Sequence, residues 1–146
     1  MAWFYAALAS AIIWGFSYAL GEKILKGSAI TPAFLMTITG IIYAAGSIAL
    51  AMALGQFKTG WNAVLADHKL FFNILIVAVS YVIGAWLIYL SISLKDATLA
   101  NLIEVSYPIF TAIFAYILYR QSQLNYWTGM GGVLILAGIA LIYMKS

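Results

Sequence analysis

Five stretches of about twenty apolar residues follow one another along this chain, and every charged side chain except Glu104 lies between or beyond them. A helix rises about 1.5 Å per residue and the hydrocarbon core of a bilayer is about 30 Å thick, so one crossing takes roughly 20 such residues. The runs cover residues 2–21, 32–55, 70–94, 98–119 and 126–144. The pair Glu22-Lys23 ends the first, Pro32 opens the second in a position suited to a first helical turn, Lys95-Asp96 closes the third, Arg120 the fourth and Lys145 the fifth. Charged residues make up 8% of the chain and apolar ones 66%, against roughly 25% and 45–50% in soluble domains. A small soluble fold leaves too much surface in water to hide that apolar excess. The expectation is an all-α membrane protein, a single domain over residues 1–146 with five transmembrane helices.

The same letters exclude several functions. There is no Cys and one His, which argues against thiolate catalysis, zinc sites and haem ligation, and no cofactor is expected. No nucleotide loop, metal motif or Ser–His–Asp set is present, which argues against an enzyme. Lys23, Lys26, Lys58, Lys69, Lys95, Arg120 and Lys145 are scattered; they read as anchors between spans and not as a nucleic-acid surface. The first run has no basic segment before it and is too long for a cleaved signal peptide. Within residues 56–69, Trp61, Val64, Leu65 and His68 fall at i, i+3, i+4 and i+7, the pattern of a short helix lying at the lipid–water boundary. Trp3, Trp61 and Trp127 stand near span ends, where an aromatic belt belongs.

Small residues recur at helical spacing: Ala7, Ala11, Gly15 and Ala19 in the first span, Ala45, Ala49 and Ala53 in the second, Gly131 and Gly138 in the fifth. Such stripes let membrane helices approach closely. Five crossings put the termini on opposite sides. Lys58, Lys69 and Arg120 then fall on the N-terminal side, and Lys23, Lys26, Lys95 and Lys145 on the other. Three against four is almost no bias for the positive-inside rule to act on. Two readings follow: insertion in both directions, with an antiparallel homodimer, or a single orientation set by the first helix or by another chain.

Several pieces in order resemble the EamA-type domain of the drug/metabolite transporter superfamily. Ile13-Trp14-Gly15-Phe16-Ser17 matches the Trp-Gly of that domain's first helix, and Pro32 the proline opening its second. Ala97-Thr98-Leu99-Ala100-Asn101-Leu102, then Tyr107-Pro108-Ile109-Phe110, then Gly129, Gly132 and Gly138-Ile139 match its last two helices. Two features depart from many members: residues 34–43 carry no basic side chain, and Arg120 stands where a glutamate is common. The resemblance implies a membrane transporter, in the export direction, for small metabolites or amphipathic and cationic compounds, in the plasma (inner) membrane of a prokaryote. Family proteins commonly carry two such domains as an inverted repeat of ten helices. One five-helix half would then pair with another, an inverted copy of itself being the natural partner, and work by alternating access. The competing reading is a non-transporting membrane subunit that stabilises another protein.

The candidate chemistry centres on Glu104, about six residues and hence roughly 9 Å beyond the start of the fourth run. An ionisable group at that depth costs a few kcal/mol and ordinarily faces a cavity or a partner. Asn101 at i−3, Tyr107 at i+3, Pro108 at i+4 and Thr111 at i+7 share its stripe. Pro108 has no N–H for the Glu104 carbonyl, so a hinge is expected there. Glu104 is the candidate for a proton or a cationic substrate; a structural hydrogen bond to a neighbouring helix is the alternative. Ser17, Trp14 and Tyr18 on the first helix, Tyr43 with Thr39 and Ser47 on the second, and Tyr81, Trp86 and Tyr89 with Ser93 on the third are the candidate cavity lining. Aromatic faces with polar edges suit an amphipathic or cationic molecule; ordinary helix packing is the other account of them.

Overall fold

The computed structural model of the chain describes residues 2–120 and 125–145. Its elements are α1 (Ala2–Gly27), α2 (Pro32–Ala53), α3 (Phe57–Ala66), α4 (His68–Leu94), α5 (Ala97–Glu104), α6 (Tyr107–Tyr119) and α7 (Tyr126–Lys145). Five helical stretches are long and apolar enough to cross a bilayer: α1, α2, α4, α5 with α6 taken together, and α7. The protein is therefore an integral membrane protein of the all-α class, as the run lengths require. The chain divides into two compact units, Met1–Ser93 and Leu94–Ser146.

In the first unit, local chemistry sets the helix ends. The first helix does not stop at the Glu22-Lys23 pair. It runs one and a half turns further, because Lys26 Nζ reaches Glu22 Oε1 at 2.6 Å and Ser28 Oγ donates to the Ile24 carbonyl at 2.7 Å. Charged residues at a span end need only reach water, and they need not break the helix to do so. Thr31 caps α2, its Oγ1 accepting from Phe34 N–H at 3.3 Å, with Pro32 in the first turn. The other end of α2 is a Schellman turn. Gly55 takes φ +68°, its N–H donates to Met52 O at 3.0 Å, and Gln56 N–H donates to Ala51 O at 2.9 Å. That left-handed conformation is one glycine adopts without steric cost. α3 begins two residues later and touches α2. The short helix foreseen at the boundary is present, but His68 is not part of its face. Asp67 is extended (φ −129°, ψ 101°) and caps α4, its Oδ1 accepting from the N–H groups of Lys69 and Leu70 at 2.8 and 3.1 Å. His68 is therefore the first residue of α4.

The close packing in this unit falls at Gly21, on α1. A Cβ built there would stand 3.4 Å from Tyr89 Cε1 on α4 and 4.0 Å from Leu35 Cδ2 on α2. Gly21 and Leu35 are buried, and so is Ile92 near the end of α4. The stripe Ala7, Ala11, Gly15, Ala19 is not where the helices meet: all four are exposed, and the space beside Gly15 is open.

In the second unit, Asp96 caps α5 through Oδ1, which accepts from Leu99 N–H at 2.7 Å. Buried alanines do the packing: Ala97 and Ala100 on α5, Ala112 and Ala115 on α6. Gly132 on α7 lets the Ile109 side chain of α6 come close, 3.5 Å from where a Cβ would be. α6 ends on Arg120, which takes φ +56° while its guanidinium stands 6.0 Å from the Tyr116 ring. Asn125 and Thr128 cap α7 reciprocally, through Asn125 N–H to Thr128 Oγ1 at 2.8 Å and Thr128 N–H to Asn125 Oδ1 at 2.9 Å.

Candidate functional site

The expected aromatic lining sorts into two places within the first unit. Trp14, Tyr18 and Tyr89 form a ladder, with ring centroids 5.8 Å apart for the first pair and 6.4 Å for the second. Trp14 and Tyr18 are one helical turn apart on α1, and Tyr89 crosses from α4, edge-on to Tyr18 at 73°. Aromatic rings at these separations attract through their quadrupoles. Gly21, one turn beyond Tyr18, provides the clearance that lets α4 bring Tyr89 in. Ser17 is half-buried beside Tyr18.

Trp86 lies elsewhere, on a groove between α2 and α4 of about 560 Å³. Ala33, Met36, Thr37, Gly40, Ile41 and Ala44 form its α2 side, and Val82 and Trp86 its α4 side. The groove is almost wholly apolar and falls in the size range of small-molecule pockets. The α2 face that lines it is thus not the one carrying Thr39, Tyr43 and Ser47. Tyr43 and Tyr81 line neither the groove nor the ladder and stand 73% and 74% exposed. Sequence reasoning weighted aromatics and hydroxyls and passed over the Ala33–Thr37–Gly40–Ala44 row. Its small residues, spaced four, three and four apart, were the available signal.

Five hydroxyls of α2 and α4 are turned inward on their own helices. Thr37 donates to Ala33 O at 2.9 Å, Thr39 to Leu35 O at 2.8 Å, Ser47 to Ala44 O at 3.0 Å, Ser80 to Ile76 O at 2.8 Å and Ser93 to Leu90 O at 2.7 Å. Each has spent its one proton on backbone. Toward a ligand it can only accept.

In the second unit the span is broken where Pro108 predicts. α5 ends at Glu104, Val105 and Ser106 make a turn, and α6 starts at Tyr107. Ser106 N–H donates to Ile103 O and Ile109 N–H to Ser106 O, both at 3.0 Å, a tighter hydrogen-bonding pattern than the helix on either side. Glu104 is half-buried on the last turn of α5, and Asn101 is half-buried one turn before it on the same face. The Asn101 Oδ1 is itself buried and takes no hydrogen bond from the described residues. A buried acceptor without a donor costs about 1–3 kcal/mol. Tyr107 is exposed, and Thr111 Oγ1 donates to its carbonyl at 3.0 Å. The break therefore gathers an amide oxygen and a carboxyl group within one helical turn of a membrane span. Such a pair can accept hydrogen bonds from a cationic or N–H-bearing molecule and can take up a proton.

A model of the EamA-like transporter family matches residues 1–144, which include all five spans. No curated protein matches the chain. No solved structure matches it either.

Proposed function

The chain belongs to the EamA-like transporter family, and we propose that it exports small amphipathic or cationic metabolites across a prokaryotic plasma membrane, coupled to protons through Glu104. The observation that carries this reading is the carboxyl group of Glu104, one turn from the buried, undonated Asn101 Oδ1, at a break in a membrane span. A group that is expensive to hold at this depth is characteristic of ion and substrate pathways. Tyr107 extends that polar stripe, and Pro108 acts as the hinge. In the first unit, the faces of Trp14, Tyr18 and Tyr89, the adjoining Ser17 and the apolar wall at Trp86 suit the body of an amphipathic molecule. Tyr43 and Tyr81, exposed in the single chain, belong to the same substrate surface once two chains pair.

The working unit is an antiparallel homodimer. Support comes from the near balance of basic residues, three against four, and from the unpacked stripe Ala7, Ala11, Gly15, Ala19, through which a second copy can approach closely. Alternating access then rocks one copy against the other. The test is substrate flux in proteoliposomes under an imposed pH gradient, for the parent chain and for Glu104→Gln. Gradient-driven flux that Glu104→Gln abolishes supports the reading. Flux that ignores the gradient and survives the substitution removes proton coupling, and a folded protein that moves nothing favours the stabilising-subunit alternative.

A further inference from the structure

The short helix α3 is held at the membrane surface by its neighbours in sequence. The Schellman turn at Gly55 delivers it directly from the end of one span, and the Asp67 cap starts the next span immediately after it. A ten-residue helix tied this closely to two span ends cannot leave the headgroup layer. Phe57, Trp61, Val64 and Leu65 occupy an arc of about 100° on it. Val64 is half-buried, but Phe57, Trp61 and Leu65 are 41%, 57% and 63% exposed, and the Phe57 and Trp61 rings lie parallel at 6.3 Å and 4°. Lys58 flanks this arc, and Lys69 is the second residue of α4; both are exposed. The acidic side chain nearby, Asp67, has an oxygen occupied by two backbone N–H groups.

We infer that α3 is a recognition element for anionic phospholipid: its exposed apolar arc enters the headgroup–acyl boundary while Lys58 and Lys69 hold lipid phosphates. This site is independent of any cargo. It gives one end of the α2–α4 pair a preference for anionic lipid that the near-equal count of basic residues does not supply.

The absence of cysteine from the chain makes the test direct. Leu65→Cys, labelled with a fluorophore, is reconstituted into mixed phosphatidylcholine and phosphatidylglycerol vesicles. Quenching by brominated phosphatidylglycerol is compared with quenching by brominated phosphatidylcholine at equal content. Each lysine near a membrane surface biases local anionic lipid about fivefold, so the parent should be quenched several-fold more by the anionic lipid. The preference should fall to parity in Lys58→Gln/Lys69→Gln and weaken in high salt. Unchanged tryptophan emission checks that the variant is folded. Equal quenching by both lipids in the parent overturns the inference in favour of apolar contact alone. No quenching by either lipid overturns it in favour of a helix facing water or protein. No substrate enters the assay, so a failed transport experiment leaves this result standing.

Discussion

Gly21 should separate two substitutions that differ by a few carbon atoms. In Gly21→Ala the new Cβ meets Tyr89 Cε1 at 3.4 Å and Leu35 Cδ2 at 4.0 Å, which is ordinary van der Waals contact. Alanine also removes the backbone freedom that makes a mid-helix glycine unfavourable, worth about 0.5–1 kcal/mol. The net expectation is a protein at least as stable as the parent. In Gly21→Leu the side chain must continue past a Cβ that already touches α4. No neighbouring space accepts it, since Leu35 is buried and Tyr89 is held by its edge-on contact with Tyr18 at 6.4 Å. Overpacking of this kind costs about 1–3 kcal/mol. The two variants should therefore differ by roughly 1.5–4 kcal/mol, or about 13- to 900-fold in the unfolding equilibrium. Denaturation in detergent micelles, followed by intrinsic fluorescence, measures that gap, because Trp14 and Tyr18 report on the ladder. Gly21→Leu as stable as Gly21→Ala would refute the claim that α1, α2 and α4 pack at this residue. A destabilised Gly21→Ala would show that 3.4 Å is already too close.

Two further outcomes concern the broken span. Asn101→Leu removes the undonated buried oxygen, so it should raise stability by about 1–3 kcal/mol in the same denaturation assay while reducing flux in proteoliposomes; loss of both would mean that the oxygen has a structural partner. Pro108→Ala restores an N–H for the Glu104 carbonyl and should let α5 and α6 merge, toward the roughly 33 Å of a straight helix over residues 97–119. Spin labels on cysteines placed at Thr98 and Leu118 would report an unchanged distance if Pro108 is not what maintains the break.

The spans were readable from composition because lipid leaves a strong signature: a long run without charge has few alternatives. Helix ends were less so. The sequence marks where charge begins, but Lys26 and Glu22 pair along the helix, and α1 continues through them. The face of each helix was least legible. Amphipathic patterning orients a helix in water, whereas in lipid both faces are apolar, and on α2 small residues mark the groove side and the Ala45, Ala49, Ala53 side alike. The same holds for Gly21, which looks like the end of a run and is instead buried where α1 meets α2 and α4. That Glu104 and Asn101 share a face was legible from their spacing of three. The interruption of the helix after Glu104 was legible because proline lacks a donor.

The inward-turned hydroxyls bear on how the protein is made. Thr37, Thr39, Ser47, Ser80 and Ser93 each close their hydrogen bond within about one turn of their own helix. On α2 and α4, which carry them, none of these five donors has to wait for a later segment to arrive before its helix can rest in lipid. The Asn101 Oδ1 differs, being buried without a donor among the described residues, so on the fourth crossing a translocon or a partner helix has a polar group to act on.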